Sequence, residues 1–169
     1  MPKPLMYFVC TGNSCRSQMA EGFARLLGGD RWQVASAGIA PTAVNPLAVI
    51  AMSEVGIDIT PQTSKAIDRD LLQRATVVVT LCGDAEETCP APPPGVRRVH
   101  WPLPDPARAR GDAAEVAAVF RSVRDEIRAC VEALLGEETD QAGAPTTGAA
   151  VLPPPGDPHF AAQDRRESR

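Results

Sequence analysis

An α/β fold built on a parallel sheet is what this sequence predicts, and three observations carry the prediction. Four short apolar runs, at residues 5–9, 34–37, 77–81 and 96–101, read as strands. Helical patterns lie between the runs, so successive strands are joined by right-handed crossovers and lie parallel. Cys10 and Cys82 each stand immediately after a run, behind Val9 and Leu81. Sheets of this kind bind ligands at the carboxyl ends of their strands.

The elements can be justified in order. Leu5-Met6-Tyr7-Phe8-Val9 is continuously apolar, as a strand buried on both faces requires. Helices are expected at 17–27, at 46–55 with Pro46 in the first turn, and, shorter, at 68–74. The last, at 112–135, is the clearest. Val116, Phe120, Val123, Ile127, Cys130, Val131 and Leu134 recur on one face at steps of three, four and occasionally one. Cys130 belongs to that stripe and reads as a core residue. The opposite face carries Arg121, Arg124, Asp125, Arg128 and Glu132, a solvated surface with no functional demand on it. Composition then changes. Residues 1–136 form one domain, whereas 137–169 hold Pro, Gly, Ala, Thr and charge with little apolar periodicity. The expectation for 137–169 is a disordered tail, the alternative a docking segment through Val151-Leu152-Pro153-Pro154-Pro155.

At 169 residues the chain can bury a core of its own. A net charge of -4 and no basic stripe give no support for a nucleic-acid partner. No apolar stretch reaches membrane-spanning length, and Met-Pro-Lys-Pro runs straight into the first strand without the marks of a signal peptide. A cytoplasmic location is expected, where five cysteines stay reduced. Zinc is not expected. Cys82 and Cys89 have six residues between them rather than two to four, and the only histidines are His100 and His159. Neither a metal nor a cofactor is called for.

Chemistry concentrates in Cys10-Thr11-Gly12-Asn13-Ser14-Cys15-Arg16-Ser17, between the first strand and the first helix. Such a loop turns successive backbone N–H groups inward as a nest, at the positive end of a helix dipole. A tetrahedral oxyanion fits there with a sulfur beneath it. The same field favours thiolate over thiol, which marks Cys10 as a nucleophile. Arg16 can offer an oxyanion two parallel hydrogen bonds from its planar fork. By residue type Asn13 suits a left-handed position and Ser17 plain N-capping at the helix start.

Cys10 and Arg16 form a C-x5-R loop close to the amino end, with Asp105-Pro106 far downstream. That combination resembles the low-molecular-weight protein tyrosine phosphatases. Cys82 and Cys89, taken with Cys10, narrow the resemblance to the thioredoxin-coupled arsenate reductases built on that fold. It runs from about residue 5 to residue 135 and includes His100-Trp101 and Val123-Arg124-Asp125-Glu126-Ile127. The resemblance implies a three-layer fold with a four-stranded parallel sheet flanked by helices. It implies arsenate as substrate, phosphate or sulfate as competing oxyanions, and thioredoxin as partner. Residues 11–17, that is Thr11, Gly12, Asn13, Ser14, Cys15, Arg16 and Ser17, would bind the substrate. Cys10 would attack arsenic while Asp105 protonates the departing oxygen. Cys82 would then attack Cys10, releasing arsenite, and Cys89 would attack Cys82 to move the disulfide outward. Ser17 would match the hydroxyl that supports the Cys10 thiolate, plain N-capping being its alternative or additional role, and Cys15 has no required chemical role.

Two further expectations follow from the resemblance. If 84–88 is helical, Cys82 and Cys89 are separated by roughly 10 Å at ~1.5 Å rise per residue. A disulfide needs Cα atoms about 4.4–6.8 Å apart, so residues 82–96 are expected to lose order on oxidation. Some relatives hold potassium at positions matching Asn13, Glu21, Ser36 and Thr63, plus an acidic residue where this chain has Lys65. Either the Lys65 ammonium replaces the ion or it points away and the site is lost; activity should respond little to potassium. The main alternative function is a phosphotyrosine phosphatase using Cys10, Arg16 and Asp105, with Cys82 and Cys89 only protecting it. Against it, 4% aromatic residues offer a phosphotyrosine ring few stacking partners. A non-catalytic oxyanion or redox sensor is the third reading.

Overall fold

The computed structural model describes residues 2–81, 92–140 and 150–151. Its strands are β1 (Leu5–Cys10), β2 (Gln33–Gly38), β3 (Val77–Thr80), β4 (Arg97–His100) and the two-residue β5 (Ala150–Val151). They lie in the order β2-β1-β3-β4-β5, and every pairing is parallel. The helices are α1 (Arg16–Gly28), α2 (Pro46–Ser53), α3 (Arg69–Arg74) and α4 (Ala113–Asp140). The expected four-stranded parallel sheet between helical layers is therefore present, with β5 added at the β4 edge.

β1 lies inside the sheet because both of its faces are apolar. Met6, Phe8 and Cys10 point into the larger core beneath α1, α2 and α4, while Leu5, Tyr7 and Val9 point into a smaller one beneath α3. Full burial of Phe8 stabilises the fold by about 2–3 kcal/mol over leaving it exposed. The ring also packs at a tilt on buried Trp101, with centroids 5.9 Å apart. Helix starts are set locally. Asn45 accepts from Leu47 N–H ahead of Pro46, and Asp68 accepts from Asp70 and Leu71 N–H. The Tyr7 hydroxyl also accepts from Asp68 N–H at 3.0 Å, tying the start of α3 to β1.

Two expectations need correction. Arg124 is buried rather than solvated. Its guanidinium donates to Ala51 O at 2.9 Å and to Glu54 at 3.0 Å, closing the carboxyl end of α2, and Arg121 grips the same Glu54. A periodicity plot places both arginines on the polar face; it has no way of showing that α2 ends opposite them. Also, α4 does not stop near residue 135 but runs to Asp140, where Arg97 of β4 pairs with Glu137 at 2.8 Å and with Glu138. Among the described residues no helix is long and apolar enough to cross a membrane.

Candidate active site

β1 delivers Cys10 to the carboxyl end of the sheet, and the next five residues turn into α1. The loop owes its shape to donors around it. Ile39, Ala40, Thr42 and Asn45 N–H bond the carbonyls of Cys10, Thr11, Gly12 and Ser14 at 2.8–3.1 Å. Gln18 Nε2 takes Asn13 O at 3.0 Å, and the Ser64 hydroxyl adds a second bond to Gly12 O. With the carbonyls drawn outward, the loop N–H groups are left to face an anion. Asn13 is the one described non-glycine residue at positive φ, 48°. Its buried side chain donates to Ser17 Oγ at 2.7 Å and Ser36 Oγ at 3.0 Å, and accepts from Lys65 N–H at 3.0 Å.

Gly38, last in β2, lies under this loop. A Cβ there would stand 2.7 Å from Asn13 N and from Thr11 O, and 2.9 Å from Gly12 C. Ser17 Oγ lies 2.9 Å from Cys10 Sγ and also receives Asn13, so its hydroxyl supports the sulfur. The N-capping reading of Ser17 is not what forms. Cys15 occupies the N-cap of α1, and no side chain caps that helix.

Arg16 is buried and reaches across the sheet. Nη1 donates to Leu81 O at 2.9 Å and Leu103 O at 3.0 Å, and Nη2 lies 3.8 Å from the Asp105 carboxylate. One cation thus meets the end of β3, just before Cys82, and the loop carrying Asp105. Asp105 also accepts from Ala107 N–H at 3.0 Å, which fixes its backbone ahead of Pro106. Burial pushes the Cys15 thiol up to about 11, and Cys130 in α4 likewise to about 11. Both stay protonated at neutral pH. Thr11 Oγ1 and Trp101 Nε1 are buried without a hydrogen-bond partner among the described residues.

The potassium positions do converge. Ser36 donates to Glu21 Oε1 at 2.9 Å, and the Lys65 ammonium donates to Thr63 O at 2.8 Å while lying 3.8 Å from the same Glu21 oxygen. The Lys65 ammonium, on a half-exposed side chain, therefore sits beside these groups rather than away from them. No cluster of three metal-ligating side chains occurs among the described residues. A cavity of ≈ 450 Å³ lined by Arg25, Trp32 and Arg74 sits at the amino ends of β1 and β2, the opposite end of the sheet from Cys10. Cys82, Cys89 and the expected reordering of their segment lie outside the described residues. Sequence reasoning missed Gln18, Ser64 and Gly38 as supports of the loop, since none has a spacing signal and each acts through chain distant in sequence.

Residues 5–143 match the family described as low molecular weight phosphotyrosine protein phosphatase. The chain belongs to this family. It is 60% identical over 127 residues to an arsenate reductase of Halalkalibacterium halodurans, covering 75% of this chain and 91% of that protein. A solved arsenate reductase in its phosphate-binding state superposes with a TM-score of 0.67 at 38% identity, covering 79% of this chain and 98% of the other. The thioredoxin-dependent arsenate reductase of Corynebacterium glutamicum gives 0.61 at 26% identity, covering 80% of this chain and 64% of its own.

Proposed function

We propose that this family member reduces arsenate to arsenite through Cys10, Cys82 and Cys89, and that thioredoxin returns it to the reduced state. The carrying observation is the cradle itself. Outward-bonded loop carbonyls, Ser17 on the Cys10 sulfur and Arg16 beside Asp105 offer a nucleophile, an oxyanion grip and a proton source at one end of the sheet. The high identity to the Halalkalibacterium enzyme supports arsenate as the oxyanion.

The Cys10 thiolate attacks As(V), and an oxygen leaves as water with a proton from Asp105. Arg16 and the loop N–H groups hold the remaining oxygens, and the Thr11 hydroxyl, unpartnered among the described residues, is available to one of them. The Cys82 thiolate attacks the Cys10 sulfur, the S–As bond breaks, and its electron pair stays on arsenic, which departs as arsenite. Cys89 attacks Cys82, freeing the Cys10 thiolate. The Cys82–Cys89 bond then takes two electrons from the thioredoxin dithiol. Phosphate fits the same cradle without being reducible, so a phosphatase reading predicts only slow aryl phosphate hydrolysis from this site.

The deciding assay is arsenate-dependent NADPH oxidation with thioredoxin and its reductase. Cys82→Ser is expected to abolish it while leaving aryl phosphate hydrolysis intact. Cys89→Ser is expected to stall after one turnover with Cys10 and Cys82 cross-linked in the mass spectrum. Arsenate turnover by either variant at the native rate would refute the relay.

A further inference from the structure

The sheet continues past the family. The family match ends at residue 143, yet Ala150–Val151 forms β5 on the open edge of β4. Arg97, first in β4, pairs with Glu137 and Glu138 in the last turns of α4, so the helix end is fastened over the strand that receives the extension.

The direction of the backbone groups can be worked out. Trp101 N–H donates to Thr80 O, so the groups of Val99 and Trp101 face β3 and those of Arg98 and His100 face the other way. Val99 pairs with Ala150 and His100 with Val151. In a parallel ladder, Ala150 is then the residue whose N–H and C=O reach β4. Apart from β5, the neighbour of β4 among the described strands is β3. β4 also receives the chain from the stretch bearing Cys82 and Cys89 and passes it to Leu103 and Asp105, which meet Arg16. Any change of shape in that stretch pulls on the amino end of a four-residue strand.

We propose that the β4 edge is the docking site of the chain's own C-terminal extension, through Ala150–Val151, and that the docked strand holds β4 and the Asp105 loop in place while the cysteine stretch changes shape. The docking stands by itself; the holding role rests on the thiol relay. An exposed strand edge is a template for wrong pairings, and an intramolecular strand also removes that hazard.

Amide hydrogen exchange on the full chain tests both parts, with Ala150→Pro as the variant and Ala150→Ser as its control. Proline cannot donate into the ladder. In the reduced protein, the His100 amide, which donates to Ala150 C=O, is expected to exchange about tenfold faster in Ala150→Pro, with Val99 and Trp101 unchanged. After Cys82–Cys89 oxidation, Val99 and Trp101 are expected to stay protected in the native chain and to lose protection in the proline variant. Equal exchange of His100 in all three proteins overturns the docking. Protection that disappears on dilution, together with a dimer by light scattering, overturns it in favour of exchange between two copies. Equal behaviour of Val99 and Trp101 in the oxidised proteins overturns the holding role, and this is read separately from whether arsenate is reduced.

Discussion

Gly38→Ala tests the cradle without touching a reactive atom. The new methyl carbon would lie 2.7 Å from Thr11 O and Asn13 N and 2.9 Å from Gly12 C. All three are backbone atoms, so no side-chain rotation relieves the contact. Nonbonded carbon contacts settle at about 3.5 Å, which forces the loop and β2 apart by about 0.5–0.8 Å. β2 resists, because Gly38 pairs with Cys10 and its N–H bonds Lys65 O at 2.9 Å. Overpacking of this kind costs about 1–3 kcal/mol, a fall of roughly 3–10 °C in Tm. The displaced loop carries the anion-binding N–H groups, and misplacement approaching 1 Å costs up to about 10²-fold in rate. Arsenate kcat/KM and inhibition by phosphate, measured beside a thermal melt, read both effects. A native Tm with native phosphate inhibition would show that the loop is not shaped against Gly38.

Exchanging sodium for potassium at constant ionic strength is expected to change kcat/KM less than about twofold, because the Lys65 ammonium already supplies the charge beside Glu21; Lys65→Asp is expected to create a potassium response, and a strong response in the native chain would refute the placement. Arg16→Lys keeps a charge but loses the fork, and kcat/KM for arsenate is expected to fall roughly 10²–10³-fold, with phosphate inhibition weakened in parallel. Burial, with Arg98 nearby, holds the His100 imidazole below its ordinary range, so the unfolded chain takes up a proton near 6.5 before the folded one does. The contribution to stability is whole above about pH 6.5 and is lost as pH falls toward the lower folded value. Urea midpoints across that interval should fall less in His100→Gln than in the native chain; parallel curves would rule the imidazole out. Iodoacetamide on the native fold near pH 8 is expected to leave Cys15 and Cys130 unlabelled, both thiols being pushed up to about 11; early labelling of either contradicts their burial.

What could be read before folding was whatever depends on neighbours in sequence. The strand ending at Cys10, the left-handed Asn13 and the apolar stripe of α4 are local patterns, and each formed within a residue or two of its expected bounds apart from the carboxyl end of α4. Cys10, Arg16 and Asp105 could be proposed as nucleophile, cation and acid because the C-x5-R loop and Asp105-Pro106 carry a family likeness. Contacts across the fold left no such trace. Arg124 closing α2, Gly38 under the loop and Ser64 on Gly12 O all join segments more than 20 residues apart, where neither period nor spacing speaks. Ser17 shows the limit differently: capping and support of the sulfur require the same residue type, and only the position of Cys10 Sγ separates them.

Arg16 leaves one consequence for how the enzyme can vary. Its guanidinium is the common fastening of Leu81 O and Leu103 O, with the Asp105 carboxylate 3.8 Å away. Under the proposed relay, errors in placing the Asp105 carboxylate and in placing the end of β3 at Leu81 are therefore correlated. A substitution that tilts this one side chain mis-sets protonation and electron transfer together, so neither step can be retuned through it alone.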